Sequence, residues 1–256
     1  MPKKNTLCTF IHVPKTGGVT LHDIISRIYS ARQTLHIDNV KIPVRAEAEL
    51  HAKQATPFII KGHIDVKEVM DIPHNFLFTL LRPPVARVIS HYYFLKEQPG
   101  AKHYTFLNLP DTTIEKFYAL KEKKDIDNCF VRYYSGRHEV ECGMVKKEHY
   151  EEALKNLRTK FHFFGLQEFY DESLIMLANE LQWPLPVYRK KNVTGKKESV
   201  PEPTLEFLRD ANRWDLMLYE EAKQLFAQRM SRMTPKDHKR LTRLRILNKV
   251  AALYPF

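Results

Sequence analysis

The chain has 256 residues, 43% of them hydrophobic and 28% charged, with a formal net charge of +11. That length buries a substantial core without disulfide or metal staples, and one large α/β domain is the simplest organisation. There is no internal repeat, low-complexity tract or apolar run long enough to cross a bilayer, which excludes fibrous, disordered and membrane-spanning classes; the positive balance points to anions such as nucleotides, acidic glycans, nucleic acid or anionic lipid.

The first element is an apolar run of strand character, Leu7 to Val13. Pro14-Lys15-Thr16-Gly17-Gly18 then turns the chain, and Leu21, Ile24, Ile25 and Ile28 follow at helical spacing. A strand, a glycine turn and a helix N-terminus together favour an anion. The first helical N–H groups have no internal partner, and the helix dipole attracts negative charge there. Gly17 and Gly18 allow a phosphate to approach the backbone. Lys15 adds a mobile positive charge, and Thr16 and Thr20 add hydroxyls on either side of Val19. This is not a Walker A loop, because the lysine precedes the glycines. Read alone, the stretch also fits a tight turn with an incidental lysine.

Residues 31–56 mix charge with scattered apolar positions, and Arg45 to Gln54 reads as a short polar helix. Pro57 to His63 gives a second strand, ending at Gly62. Asn75 to Leu81 gives a third, apolar on both faces as in a central parallel strand. Pro83 and Pro84 stop it, and Val85, Val88, Ile89 and Tyr92 restart a helical period. Residues 98–112 read as a loop, 113–122 and 147–158 as helices, and Phe161 to Gly165 as a fourth short strand. Leu174 to Leu181 is helical. Prolines at 184, 186, 201 and 203 bracket a basic, irregular stretch containing Lys190 to Lys197, and a long helix starts at Thr204. Strands alternating with helices predict an α/β fold with a central parallel sheet flanked by helices.

Two further constellations fall at strand ends, where open α/β sheets bind ligands. Arg82 ends the third strand and offers a planar fork suited to phosphate. Ser90 follows on the next helix with a hydroxyl, and Arg87 lies between them, free to pair with an acidic neighbour instead. A strand-capping arginine and a helix-face serine are the plain alternatives. Lys61-Gly62-His63 ends the second strand on the same edge. Histidine, with a reference pKa of about 6.5, is mostly neutral at pH 7 and suited to general base work. If the strand stays extended, Lys61 points to the same side and opposes a positive charge on His63. Asp65 could orient His63 or act as the base itself. His12 lies inside the first strand in a structural position, and His91 packs on the helix that carries Ser90.

Pro14-Lys-Thr-Gly-Gly-Val-Thr-Leu21, after its apolar strand, resembles the 5′-phosphosulfate loop of sulfotransferases that use 3′-phosphoadenosine 5′-phosphosulfate (PAPS). Leu80-Leu-Arg-Pro-Pro-Val-Ala-Arg-Val-Ile-Ser-His-Tyr-Tyr93 resembles the 3′-phosphate motif of the same family. The likeness is closest to the carbohydrate 2-O-sulfotransferase branch and its bacterial relatives. Asp127 to Gly136, Phe163 to Leu174 and Asn212 to Tyr219 resemble further family segments, mostly scaffold, so the likeness spans about residues 7–226.

The resemblance implies a P-loop nucleotide-kinase-like sulfotransferase fold over residues 1–231. It implies PAPS as donor and 3′-phosphoadenosine 5′-phosphate (PAP) as product, with a hydroxyl acceptor on a glycan or glycoconjugate. Lys15, Thr16, Gly17, Gly18, Val19 and Thr20 would hold the 5′ end, with Lys15 also stabilising the leaving group. Arg82 and Ser90 would hold the 3′-phosphate, and His63, in its Gly-His context, would be the base. Lys196 and Lys197 lie in a stretch that covers the nucleotide in this fold. Many animal relatives carry an N-terminal anchor. Here Met-Pro-Lys-Lys leads into the first strand with no signal-like region, so a soluble cytoplasmic form is expected.

Cys8, Cys129 and Cys142 show no metal-ligand spacing, and no metal site is expected. A Cys129–Cys142 bridge stays open, although a reducing compartment favours free thiols. Residues 232–256 read as a basic amphipathic helix docked on the same domain, as an anionic-membrane contact, or as a groove wall for an acidic acceptor. Two rival functions share the composition. A nucleotide-dependent kinase is weakened by the missing Gly-Lys-Ser/Thr. A non-catalytic nucleic-acid binder is weakened because no recognised motif accompanies the charge, so no nucleic-acid partner is expected. Oligomeric state is not legible in the sequence.

Overall fold

Five short strands pair in parallel in the order β2-β3-β1-β4-β5. They are β1 Leu7–Ile11, β2 Thr34–Ile37, β3 Phe58–Gly62, β4 Asn75–Leu81 and β5 Phe163–Leu166. The computed structural model describes residues 7–37, 57–100, 102–122, 124–189 and 200–253. The polar helix expected over Arg45 to Gln54 lies outside the described residues, as do Lys196 and Lys197.

The helices are α1 Gly18–Ile28, α2 Val66–Val69, α3 Pro84–Lys96, α4 Tyr104–Leu107, α5 Ile114–Ala119 and α6 Cys129–Ser135. Then come α7 Lys147–Thr159, α8 Tyr170–Glu180, α9 Glu202–Ala211, α10 Arg213–Met230 and α11 Pro235–Leu253. Among the described residues no helix is long and apolar enough to cross a membrane.

Alternation along the strands sorts the core into two layers. Leu7, Ile11, Phe58, Ile60, Leu77, Leu81 and Phe164 face α6, α7 and α10. Cys8, Phe10, Ile59, Phe78, Leu80 and Phe163 face α1, α8 and α11. Both faces are covered, which is why β1 and β4 read as continuous apolar runs. Several elements depart from the sequence reading. Thr34–Ile37 is an edge strand, and its mostly half-exposed residues left no alternation to read. Tyr104–Leu107 is a single helical turn inside the expected loop. The long helix breaks at Asn212, where Asn212 Nδ2 bonds the Leu208 carbonyl (3.2 Å) and its Oδ1 takes the Asn128 N–H (2.9 Å). The three cysteines are free and buried.

The segments read as scaffold hold one another by reciprocal capping. The Asp215 carboxylate accepts the Phe130 and Val131 N–H groups (3.0 and 2.9 Å), satisfying orphan donors at the start of α6. The Asn128 carbonyl oxygen accepts the Trp214 and Asp215 N–H groups at the start of α10, both at 3.1 Å. Asp127 and Arg132 form a fully buried ion pair beneath them. Such a pair is costly to break from one side, because the remaining charge is left without a partner.

The last helix is part of the same body. Leu241 and Leu244 enter the core layer that holds α1 and α8, and Asn248 Oδ1 accepts the Tyr188 N–H at 2.9 Å. Asp237 bonds Asn179 at the C-terminal end of α8, while Arg245 pairs with Asp171 and Glu172 at its N-terminal end. α11 therefore runs antiparallel to α8.

Candidate active site

Lys15, His63 and Arg82 converge where β1, β3 and β4 end side by side, with Ile11 level with Gly62 on one side and Thr79 on the other. The loop after β1 is tightly wound. Lys15 adopts a left-handed backbone (φ 69°), uncommon for a residue with a side chain. Gly17, the N-cap of α1, has φ 91°, which glycine tolerates without steric cost. Gly18 also has a packing reason to lack a side chain. A Cβ there would stand 2.1 Å from the His12 ring, so this glycine lets α1 start directly on top of His12.

Thr16 is buried, and its hydroxyl donates to the Val13 carbonyl at 2.9 Å. That proton is used inside the loop, so Thr16 offers an anion only its backbone. Thr20 is buried in the first turn of α1 beside Tyr170, whose hydroxyl donates to the Gly17 carbonyl at 3.0 Å. Val19 is exposed at the mouth of the loop. No acidic residue occupies the first turn of α1 or of α3, so neither helix N-terminus is neutralised by its own chain.

Arg82 ties the two expected anion sites together. Its Nη1 donates to the Lys15 carbonyl at 3.1 Å, while its Nε is buried with no partner among the described residues. Burial, with Arg87 nearby, holds the guanidinium below its ordinary pKa. The Lys15 ammonium lies 4.0 Å from the centroid of the Phe94 ring. Phe94 stands one helical turn beyond Ser90 on α3, so both residues share one face. Ser90 is buried on that helix. Arg87 is completely buried. It donates to the Asp125 carbonyl at 2.5 Å and stacks on Phe130 at 5.6 Å, while its Nε and Nη1 have no partner among the described residues.

His63 begins where β3 ends. Gly62 (φ 151°) leaves no room for a Cβ, which would stand 2.0 Å from the Ile37 carbonyl oxygen. This backbone turns His63 onto the end of β1. Its Nδ1 lies 2.7 Å from the His12 carbonyl oxygen, and its ring stacks on His12 with centroids 4.7 Å apart. His22 and His36 continue the cluster, with His12–His22 and His22–His36 centroid distances of 4.8 and 5.1 Å. Burial first, then the neighbouring histidines and Lys15, drives the His12 pKa well below its ordinary value. Burial, then Lys61, His36 and His63, lowers His22 to about 3. Lys61 thus opposes a positive charge on His22. Its ammonium donates to Ser26 Oγ on α1 at 2.8 Å.

His12 Nδ1 and His22 Nε2 hydrogen-bond each other at 3.2 Å instead of converging on a common point. No group of three or more His, Cys, Asp or Glu among the described residues is arranged to hold a metal ion. Asp65 does not orient His63: its Oδ1 accepts the Lys67 N–H at 2.9 Å and caps α2. His91 is buried on α3 and faces Asp125, Nε2 to Oδ2 3.9 Å.

Sequence reasoning passed over Tyr170, Phe94 and the pair His22 and His36. Tyr170 lay in a segment read as scaffold, yet it clamps the glycine turn. Phe94 directly follows the Tyr-Tyr that ends the 3′ motif. The histidines carried no local signal, because only the sheet brings them together.

A family model described as galactose-3-O-sulfotransferase matches residues 1–252, which includes most of α11. Human heparan-sulfate 6-O-sulfotransferase 1 is 25% identical over 89% of this chain and 67% of its own length. Mouse galactose-3-O-sulfotransferase 3 is 22% identical over 90% of this chain and 58% of its own. Among solved structures, mouse sulfotransferase SULT7A1 complexed with PAP aligns over 85% of this chain and 68% of its own, at 14% identity and a TM-score of 0.42. The two curated relatives are named for 6-O and 3-O transfer to carbohydrates, whereas the motifs resembled the 2-O branch of the carbohydrate sulfotransferases. With a match across nearly its whole length, the chain belongs to the galactose-3-O-sulfotransferase family, one of the carbohydrate sulfotransferases.

Proposed function

We propose that this sulfotransferase moves a sulfuryl group from PAPS to a hydroxyl of a carbohydrate, with His63 as the base. The observation that carries the reading is the 2.7 Å contact between His63 Nδ1 and the His12 carbonyl. A carbonyl oxygen only accepts, so Nδ1 carries the proton and Nε2 keeps its lone pair. That is the tautomer a general base needs, and the ring is held by stacking on His12.

The residues present fit a donor with phosphates at both ends. Arg82 has a buried, unpartnered Nε among the described residues, and two helix N-termini free of carboxylates flank it. The bound donor supplies an activated sulfuryl group whose sulfur–oxygen bond to the 5′-phosphate is the one that breaks. The α1 N-terminus, Gly17, Gly18 and Lys15 bind its 5′ end. Arg82 and Ser90 bind the 3′-phosphate, which distinguishes this nucleotide from ordinary adenylates. His63 Nε2 takes the acceptor's hydroxyl proton as the new oxygen–sulfur bond forms. Lys15 neutralises the charge that grows on the departing phosphate oxygen, a matter of positioning and electrostatics. The reaction leaves a sulfate ester, PAP and one proton on His63.

The test is transfer of labelled sulfate from PAPS to a panel of glycans that includes heparan sulfate and galactosides. Label on a glycan, lost in His63→Ala, is expected. Tight PAP binding without transfer to any carbohydrate would move the acceptor to another hydroxyl class.

A further inference from the structure

α11 is apolar on two opposite sides. Leu241, Leu244 and Ala251 face the domain and are buried. On the outer side, Lys239, Arg243, Ile246, Val250 and Leu253 recur at alternating spacings of four and three, which places them on one stripe. Ile246, Val250 and Leu253 are 57%, 46% and 76% exposed. An open groove lined by His238, Lys239, Thr242, Arg243, Ile246 and Leu247 runs along the same surface.

The charges on this helix are one-sided. Asp237 is the only acidic residue within it, and that carboxylate is occupied by Thr234 and Asn179. Arg240 and Arg245 are engaged with α8 and its flank. Lys236, Lys239, Arg243 and Lys249 remain exposed, with no ion pair among the described residues. The outer surface is therefore cationic with an apolar strip through its C-terminal half.

We propose that this outer face of α11 docks on an anionic lipid surface. The lysines and Arg243 meet headgroup phosphates and carboxylates, and Ile246, Val250 and Leu253 enter the headgroup–acyl boundary. A water-soluble polyanion would satisfy the cations but leave all three apolar side chains in water; a lipid interface satisfies both. The stripe is also presented ready-made, because the inner side of the helix is fixed to the domain. The antiparallel packing on α8 gives the docking a direction. The apolar end of α11 lies beside Asp171 and Tyr188, and the neighbouring Tyr170 bonds Gly17 of the loop after β1. The docking itself does not rest on the proposed chemistry.

The experiment is sedimentation of the full chain with phosphatidylcholine vesicles, with and without phosphatidylserine, and in parallel with immobilised heparin. Binding to the phosphatidylserine vesicles alone is expected, weakening as salt screens the charges. Lys239→Glu/Arg243→Glu and Val250→Glu/Leu253→Glu should each lower it at least tenfold. Both pairs are exposed, so the melting temperature should stay unchanged, and circular dichroism checks that the fold is kept. Equal binding to both vesicle types overturns the proposal, as does no vesicle binding. Loss with the charge pair but not the apolar pair, together with tight heparin binding, overturns it in favour of an acidic-glycan surface.

Discussion

The ammonium of Lys15 rests on the face of Phe94, 4.0 Å from the ring centroid, while the carbonyl of the same lysine is held by Arg82. The segment expected to bind the 3′-phosphate thus grips the 5′ loop at both ends of one residue. A cation over an aromatic ring gains about 0.5–2 kcal/mol, depending on desolvation. If Phe94 positions Lys15, Phe94→Leu should lower kcat by roughly 2- to 30-fold, the rate equivalent of that energy. Phe94→Tyr, which keeps the ring, should restore it. The readout is kcat and the KM for PAPS measured separately. A purely packing role would instead lower the melting temperature without this difference between Leu and Tyr.

Arg82 should discriminate between nucleotides. Its Nε, unpartnered among the described residues, and its place at the end of β4 suit a phosphate that 5′-AMP lacks. Arg82→Ala is expected to weaken PAP by at least tenfold and to leave 5′-AMP nearly unchanged, read by calorimetry. Equal losses for both nucleotides would mean that Arg82 acts only by holding the Lys15 carbonyl.

The parts of the site that were legible in the sequence are those encoded within one strand-turn-helix unit. Pro14 to Leu21 and Leu80 to Tyr93 each carry their own strand end, turn and helix start, so local pattern sufficed to place Lys15, Arg82 and Ser90 on one edge. The purpose of individual residues was not legible. Gly18 makes room for His12, Thr16 satisfies Val13, and Lys61 reaches α1, and all three depend on contacts made only after folding. The histidine cluster unites residues from the ends of β1 and β3, from α1 and from β2, and no window of sequence contains it. β2 escaped because a short, half-exposed edge strand has no apolar alternation to betray it.

Gly18→Ala should be damaging out of proportion to its size. The added methyl would meet the His12 ring at 2.1 Å, between a central strand and a helix start, neither free to move. Overpacking of this kind costs about 1–3 kcal/mol. A lower melting temperature together with weaker PAP binding is expected, since the same shift disturbs the anion loop. An unchanged melting temperature would mean that His12 can swing aside.

Acid should destabilise the histidine cluster. His22 is lowered to about 3 and His12 lies well below its ordinary value, chiefly through burial. In the unfolded chain both titrate near about 6.5. As pH falls below that value, the unfolded state takes up protons that the folded state refuses, so their contribution is complete above about 6.5 and is lost as pH falls, that of His22 progressively toward about 3. Asp65 and Asp215, both raised to about 6 chiefly by burial, oppose this by favouring the folded state as they protonate. A comparison isolates the histidine effect. Between pH 7 and pH 5 the melting temperature of the wild-type protein should fall more than that of His22→Gln. Parallel curves would show that His22 is protonated in the folded protein.

His63 is the residue on which the proposed chemistry turns. Its Nδ1 is committed to the His12 carbonyl, which leaves Nε2 to receive a proton. His63→Ala should lower turnover by roughly 10²–10⁴-fold, the usual contribution of a positioned base. PAP affinity should barely change, because the imidazole meets the acceptor and not the nucleotide. Lys15→Ala should instead reduce both, since one cation serves binding and the leaving oxygen. Asp65 provides the control. Its carboxylate caps α2 through the Lys67 N–H, and asparagine can keep that cap. Asp65→Asn should therefore retain turnover within a few-fold. The decisive measurement is single-turnover transfer with saturating donor, followed across pH for all three variants. Full activity in His63→Ala with a large loss in Asp65→Asn would move the base to the carboxylate. Full activity in both would shift attention to His91, the remaining buried histidine on the helix that carries Ser90.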